Sequence, residues 1–337
     1  MARKMLSALL HIGQNMWDEE PIEKAKMTPY LESRCRKDYL RCDEKVWRRI
    51  TDRMEKRHYN SAVLDLGEGV IYPSHPELAV KGSWSPEKLQ KEIHRLRDAG
   101  IEAIPKLNFA TTHDTWLGEY HRMVSTPDYY KAVQEIIDDV VEIFGTPRLF
   151  HLGMDEELLG TQKRNAYQCV RQGELLWQDY GYYFACLTKH GVRPLVWGDE
   201  ATFHPEWFHK RMPKYVLQSK CHYGSNFVKG KQKDDFHERQ LASLKEVSDA
   251  GYEQLPVSSN WVMKKPEEFP WPTGKDYPRD RTAIRLFTKH CVENIKDELL
   301  AGFLCAPWGE INADLEDYWL EAIDQQADAM AEFGLKV

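Results

Sequence analysis

The chain has no apolar run of bilayer-spanning length, no block of basic residues, no Cys-x-x-Cys pair, no composition break and no short internal repeat. The first absence argues against a membrane-spanning protein. The second, with a net charge of −7 spread over mixed signs, argues against a nucleic-acid partner. The seven cysteines are odd in number and scattered, so they read as reduced and mostly buried. With no composition break, residues 1–337 are expected to form a single domain. The first ten residues resemble the start of a signal peptide. Their apolar stretch is short, however, and runs on into His11-Ile12-Gly13-Gln14-Asn15 without a small-residue cleavage site. The expectation is a cytoplasmic protein as the chain stands, or a periplasmic or secreted one if a leader has been removed.

What is present is aromatic and acidic. Eleven Trp and sixteen Tyr exceed what a core needs, and flat rings with a polar edge suit the faces of sugars. The organising stretch is Arg148-Leu149-Phe150-His151-Leu152-Gly153-Met154-Asp155-Glu156-Glu157. An apolar run there ends in three consecutive acids. Strands tolerate Asp and Glu poorly, and adjacent like charges repel unless something uses them. The competing reading is an acidic helix start, with Asp155 as a cap and the glutamates facing the helix dipole.

Apolar runs at 5–12, 61–66, 101–107, 149–152, 192–197, 215–219, 255–259 and 300–307 predict eight strands. Helical patterns at 43–57, 85–99, 126–144, 165–190, 236–250, 282–298 and 315–333 fall between or after them. Ser85 before Pro86 reads as an N-cap with proline at the first helical position. Alternating strands and helices imply a parallel sheet, and eight units imply the closed α/β architecture, the (β/α)8 TIM barrel. In that fold the C-terminal ends of the strands converge on one mouth, where chemistry sits.

Read that way, the strand ends carry a constellation. Asn15 and Glu68 follow the first and second strands, and His113 follows the third. His151, Asp155 and Glu156 belong to the fourth, and Asp199 and Glu200 to the fifth. Trp261 follows the seventh, and Trp308 and Glu310 the eighth. A carboxylate pocket walled by Trp suits glycosidic bond cleavage, in which one acid protonates the leaving oxygen and a second group supports the charge at the anomeric carbon. Crowded carboxylates raise one another's pKa, which keeps one of them protonated.

At this point the chain resembles a known family. His151-Leu152-Gly153-Met154-Asp155-Glu156 is similar to the His-x-Gly-Gly-Asp-Glu motif of the family 20 glycoside hydrolases, the β-N-acetylhexosaminidases. Residues 85–87 and 100–105 resemble that family's helix and Ile-Pro strand, and His113 resembles the His closing its Pro-Gly-His loop. Trp197-Gly198-Asp199-Glu200 and Trp308-Gly309-Glu310 resemble its Trp-x-Glu strand ends. The resemblance spans about residues 60–320. It implies that Glu156 is the general acid/base and that Asp155 orients a substrate 2-acetamido group, which itself attacks the anomeric carbon. It also implies that Trp261 and Trp308 pack on the sugar and that Glu310 binds a hydroxyl. The implied partner is a carbohydrate, and no cofactor or metal is called for.

Several positions depart from the family. Met154 replaces the second Gly and is expected to put bulk beside the acids. The first strand ends in Gly13-Gln14-Asn15, without the family's sugar-holding Arg, and Asn108 stands where the family has Asp. The family's N-terminal α/β domain is expected to be missing, since the resemblance begins at about residue 60. Three other readings stay open. One is a glycosidase on a non-acetamido sugar, with Glu200 or Glu310 acting directly. The second is a non-catalytic glycan-binding barrel. The third is a metal-dependent hydrolase, which would want clustered ligands such as His-x-His, whereas His11 stands alone.

Overall fold

The apolar runs form eight parallel strands: β1 Met5–His11, β2 Ser61–Asp65, β3 Glu102–Lys106, β4 Leu149–His151, β5 Arg193–Trp197, β6 Leu217–Ser219, β7 Val257–Ser258 and β8 Gly302–Cys305. The structure is a computed structural model and describes residues 3–19, 29–158, 168–169, 171–227, 235–262, 272 and 274–337. The strands are ordered β6-β5-β4-β3-β2-β1-β8-β7. Bridges between Gln218 and Gln254, and between Cys221 and Val257, join the two outer strands and close the barrel. Six of the eight apolar runs continue past the last residue of their strand toward the mouth, whereas those at 192–197 and 215–219 start before their strands and end with them.

The helices are α1 Pro29–Arg34, α2 Glu44–Lys56, α3 Pro86–Asp98, α4 Pro127–Phe144, α5 Glu174–Thr188, α6 Glu200–Phe203, α7 Pro205–Arg211, α8 Asp235–Asp249, α9 Ala283–Asn294 and α10 Glu316–Glu332. Their starts follow from local chemistry. Asp43 caps α2 by accepting from the amides of Lys45 and Val46. Ser85 and Thr126 cap α3 and α4, each followed by proline. Gly145 ends α4 at φ 68°.

Strand residues alternate between two cores. Leu6, Ala8 and Leu10 of β1 point outward to the helices. Leu9, Val63, Ile104, Leu149, Leu195 and Leu304 fill the barrel interior. Burying each of these side chains contributes about 1.5–3 kcal/mol, so the interior is a packed plug and the mouth is left as the place for a ligand.

Three expectations about helices are revised. Of the segment predicted at 165–190, only α5 is seen as helix, and residues 165–167 and 170 lie outside the described residues. The segment predicted at 282–298 stops at Asn294, whose side-chain amide donates to the His290 carbonyl at 2.8 Å, and a separate 3-10 turn follows at Asp297–Leu299. Between β5 and β6, α6 and α7 were not anticipated. At 4 and 7 residues they are too short to show a helical period. No helix among the described residues is long and apolar enough to cross a membrane.

Candidate active site

The chain leaves β4 through an irregular turn. Gly153, Met154 and Glu156 have φ of 71°, 73° and 53°. At Gly153 a Cβ would lie 2.0 Å from Asn108 Oδ1, so only glycine fits there. Asn108 explains its own identity. Its Oδ1 accepts from the amides of Met154 and Ala110, each at 3.1 Å, and its Nδ2 donates to Asp155 Oδ1 at 2.8 Å. A carboxylate at 108 could not make that last contact and would repel Asp155. The Met154 side chain is fully buried in the core between barrel and helices, with Sδ 3.6 Å from Arg171 Nη2. The bulk expected beside the acids therefore points away from them.

The turn presents Asp155 and Glu156 to an open cavity of about 140 Å³ at the mouth. His113, Asp199, Trp261 and Trp308 line the same cavity. Asp155 sits deep, with 17% of its side chain exposed, and Glu156 is exposed at the rim. Asp199 Oδ2 accepts from the Glu156 amide at 3.1 Å. His113 Nε2 is 3.6 Å from Asp155 Oδ2.

Burial sets the electrostatics. Desolvation raises the Asp155 carboxyl above its ordinary range, opposed by the charge of Lys106 and the Asn108 hydrogen bond. Asp199 is pushed up to about 6, first by burial and then by the Asp155 charge. Burial lowers His113 to about 3, so it is neutral near pH 7. Below the floor, Lys106 Nζ lies 2.7 Å from Asp65 Oδ2, and His11 Nδ1 lies 3.0 Å from the same oxygen. Burial acts to raise the Asp65 carboxyl, but Lys106 and His11 outweigh it and hold it at about 2.

Five predicted residues are placed elsewhere. His151 is buried inside the barrel, its ring 4.4 Å from that of Trp197, and its Nδ1 accepts from the Gly153 amide at 3.0 Å. It braces the turn from below. Glu200 is 3% exposed and faces His204, whose Nδ1 lies 3.0 Å from its carboxylate. Glu68 is buried and accepts from the amides of Gln14 and Asn15 at 2.8 and 3.0 Å. Asn15 spends its amide on Lys37 N, Lys37 O and Arg41 Nη2. Glu310 lies 3.4 Å from Arg41 Nη1 and accepts from Asn312 Nδ2 at 3.2 Å. These side chains hold the loops around the mouth, and none of them lines the cavity. Their polar atoms are engaged by neighbouring backbone and side chains instead.

A search of solved structures finds chains of similar fold. A Streptomyces plicatus β-hexosaminidase in complex with the product GlcNAc aligns over 98% of this chain and 68% of its own, at 13% identity and a TM-score of 0.62. A β-N-acetylhexosaminidase from Bacteroides fragilis aligns over 96% of this chain and 65% of its own, at 15% identity and a TM-score of 0.60. The fold is that of the β-N-acetylhexosaminidase barrels. A third example, a family 20 exo-β-N-acetylglucosaminidase from Vibrio harveyi in complex with N-acetylglucosamine, has 54% of its length covered, at 14% identity and a TM-score of 0.61. This chain therefore spans between about half and two thirds of those hexosaminidase chains. No family model and no curated protein matches it.

Within this barrel, five wall residues were not among the candidates read from the sequence: Trp17, Arg34, Trp197, Cys221 and Tyr223. Trp197 carried a signal, since it is the inward-facing last residue of β5. Tyr223 sits just beyond β6 in the stretch Lys220-Cys221-His222-Tyr223, and its ring meets Trp261 and Trp308 edge-on at 5.7 and 6.3 Å. Arg34 carried no signal. It ends the unpredicted helix α1 and reaches the mouth through Asp18, at 3.2 Å, with its guanidinium 5.1 Å from the Trp17 ring. Among the described residues, no group of three or more His, Cys, Asp or Glu is arranged to hold a metal ion.

Proposed function

We propose that the chain is one catalytic barrel that hydrolyses a terminal glycosidic bond, that of a β-linked N-acetylhexosamine, by substrate-assisted retaining catalysis. The carrying observation is the turn after β4, which offers a deep carboxylate, Asp155, and an exposed one, Glu156, to a single cavity walled by Trp. A sugar seated with its ring on Trp308 and Trp261 would bring its 2-acetamido group toward Asp155 and its leaving oxygen toward Glu156. Asp155 orients the acetamido nitrogen and offsets the charge that forms as the carbonyl oxygen attacks the anomeric carbon. Glu156 protonates the leaving oxygen and then activates the water that opens the cyclic intermediate. The likeness to β-N-acetylhexosaminidase barrels supports the acetamido reading, and Asn108 supports an Asp155 held for orientation.

The rival reading, a carboxylate acting directly on a non-acetamido sugar, changes its candidate. Glu200 is paired with His204 and Glu310 with Arg41, and among the described residues Asp199 is the acid that lines the cavity beside Asp155 and Glu156. The test is a panel of nitrophenyl glycosides, with and without a chelator and a thiazoline mimic of the cyclised intermediate. Turnover of 2-acetamido sugars well above the matching 2-hydroxy sugars, blocked by the thiazoline and indifferent to chelator, is expected. Equal turnover of plain glucosides without thiazoline inhibition would move the assignment to Asp199. Binding of GlcNAc with no turnover of any glycoside would make the chain a glycan-binding barrel.

A further inference from the structure

The turn that carries Asp155 and Glu156 is an unfavourable piece of backbone. Met154 and Glu156 both occupy left-handed φ, which side chains other than glycine adopt rarely. Such conformations persist only where the surroundings over-determine them. On the cavity side the turn is held by Asn108 at the Met154 amide and by Asp199 at the Glu156 amide. The opposite side is held by a residue that no sequence pattern indicated.

Arg171 lies just before α5, with 1% of its side chain exposed. Its Nε and Nη2 donate to Glu157 Oε1 at 3.1 and 2.6 Å. Nη2 also donates to the carbonyl of Phe109, next to Asn108, and lies against Met154 Sδ. Nη1 donates to Asp179 Oδ2 at 2.7 Å and to the Tyr183 hydroxyl at 2.6 Å, both on α5. Thr111 completes the Glu157 site, giving its amide to one oxygen and its hydroxyl to the other, each at 2.8 Å. One guanidinium thus grips the residues on both sides of the Asp155-Glu156 pair, and the loop that carries Asn108, and ties them all to α5.

A buried ion network of this kind is a poor way to gain stability, because apolar side chains of the same volume serve as well or better. The fork geometry does supply direction, which apolar packing lacks. We propose that Arg171 is a positioning residue for the reaction, holding the turn in the conformation that keeps Asp155 and Glu156 facing the cavity. This rests on the proposed reading of Asp155 and Glu156 as the catalytic pair.

The test uses the full chain with Arg171→Lys, Arg171→Met and Glu157→Gln. Three quantities are read: kcat and KM on a 2-acetamido nitrophenyl glycoside, amide hydrogen exchange across residues 153–157, and thermal melting. Misplacing a catalytic group by about 1 Å costs about 100-fold in rate. Arg171→Met and Glu157→Gln are expected to lose about that much kcat, with KM within about threefold. Arg171→Lys keeps the charge without the fork and is expected to fall between them and wild type. Exchange at 153–157 should speed up while β1 and β2 stay protected. If Arg171→Met fails to fold, Arg171→Lys and Glu157→Gln decide. Wild-type kcat in those two variants, or exchange raised evenly over the barrel, would overturn the proposal. If the wild-type protein cleaves no 2-acetamido glycoside, the functional reading falls, and the local exchange alone decides whether Arg171 holds the turn.

Discussion

The ends of β4 and β5 carry the same kind of sequence, adjacent acids directly after a buried strand, and the backbone treats them differently. After β5 the chain enters α6 at once, with Asp199 at the cap and Glu200 in the first turn. A helix turns successive side chains by about 100°, so Asp199 faces the cavity while Glu200 swings behind it. There Glu200 meets His204, its partner four residues on. After β4 the chain avoids a helix and takes left-handed φ at Gly153, Met154 and Glu156. That path keeps two neighbouring acids at the cavity and sends the third, Glu157, back to Arg171. The number of acids that reach a ligand is therefore set by the backbone after the strand, and a count of acids in the sequence overstates it at both places.

The comparison breaks if the two strand ends prove equally important or equally dispensable. The largest effect is expected at β4. Glu156→Gln should lower kcat by about 10²–10⁴-fold on a substrate with a poor leaving group, and its melting temperature should move little because the side chain is exposed. If the variant keeps most of its activity in steady-state assays, β4 does not supply the acid.

A smaller effect, of about tenfold, is expected from Asp199→Asn, which exchanges a charged acceptor at the Glu156 amide for a neutral one. The pH dependence gives this variant its signature. The Asp199 carboxyl titrates at about 6, above its ordinary range, so the acidic limb of kcat/KM should lie near pH 6 in wild type and be absent from the variant. The sign for stability follows from the raised value. Asp199 contributes most below the ordinary Asp pKa of about 3.9, and that contribution is lost as pH rises through about 6. At pH 7 the variant should therefore melt above wild type, and at pH 4 the two should coincide. Calorimetry at both pH values checks this, and a variant less stable at pH 7 would contradict the burial argument.

The smallest effect is expected at Glu200. Glu200→Gln should leave kcat within about twofold and change stability by about 1 kcal/mol or less, since its partner His204 is half-exposed. Denaturant titration and the same kinetic assay read both quantities. A rate loss as large as that of Asp199→Asn would return Glu200 to the site and erase the difference between the two strand ends.

The eight strands were legible because parallel strands buried on both faces read as continuous apolar runs, and six of the eight runs were followed within two residues by glycine or tryptophan. The helices α3 and α4 were legible through Ser85-Pro86 and Thr126-Pro127. By contrast, α1, α6 and α7 span 6, 4 and 7 residues, too few to display a period. In the site, His113, Asp155, Glu156, Asp199, Trp261 and Trp308 were read from their places after strands, and all six line one cavity. His151, Asn15, Glu68, Glu200 and Glu310 were read by the same rule, yet their polar atoms are taken up by neighbours that only the folded chain supplies.

The sequence by itself determined the barrel, the mouth and the acid cluster after β4, because hydrophobic period and strand-end position are local properties of the chain. The tertiary structure alone decided which carboxylates face the cavity, what Asn108 is for, and that Arg34 and Tyr223 join the wall. Those outcomes depend on the φ values of a few turn residues and on partners 40 or more positions away, such as Asn108 for Asp155 and Asp199 for Glu156. Side-chain direction is fixed only when such distant groups meet, so no local pattern could encode it.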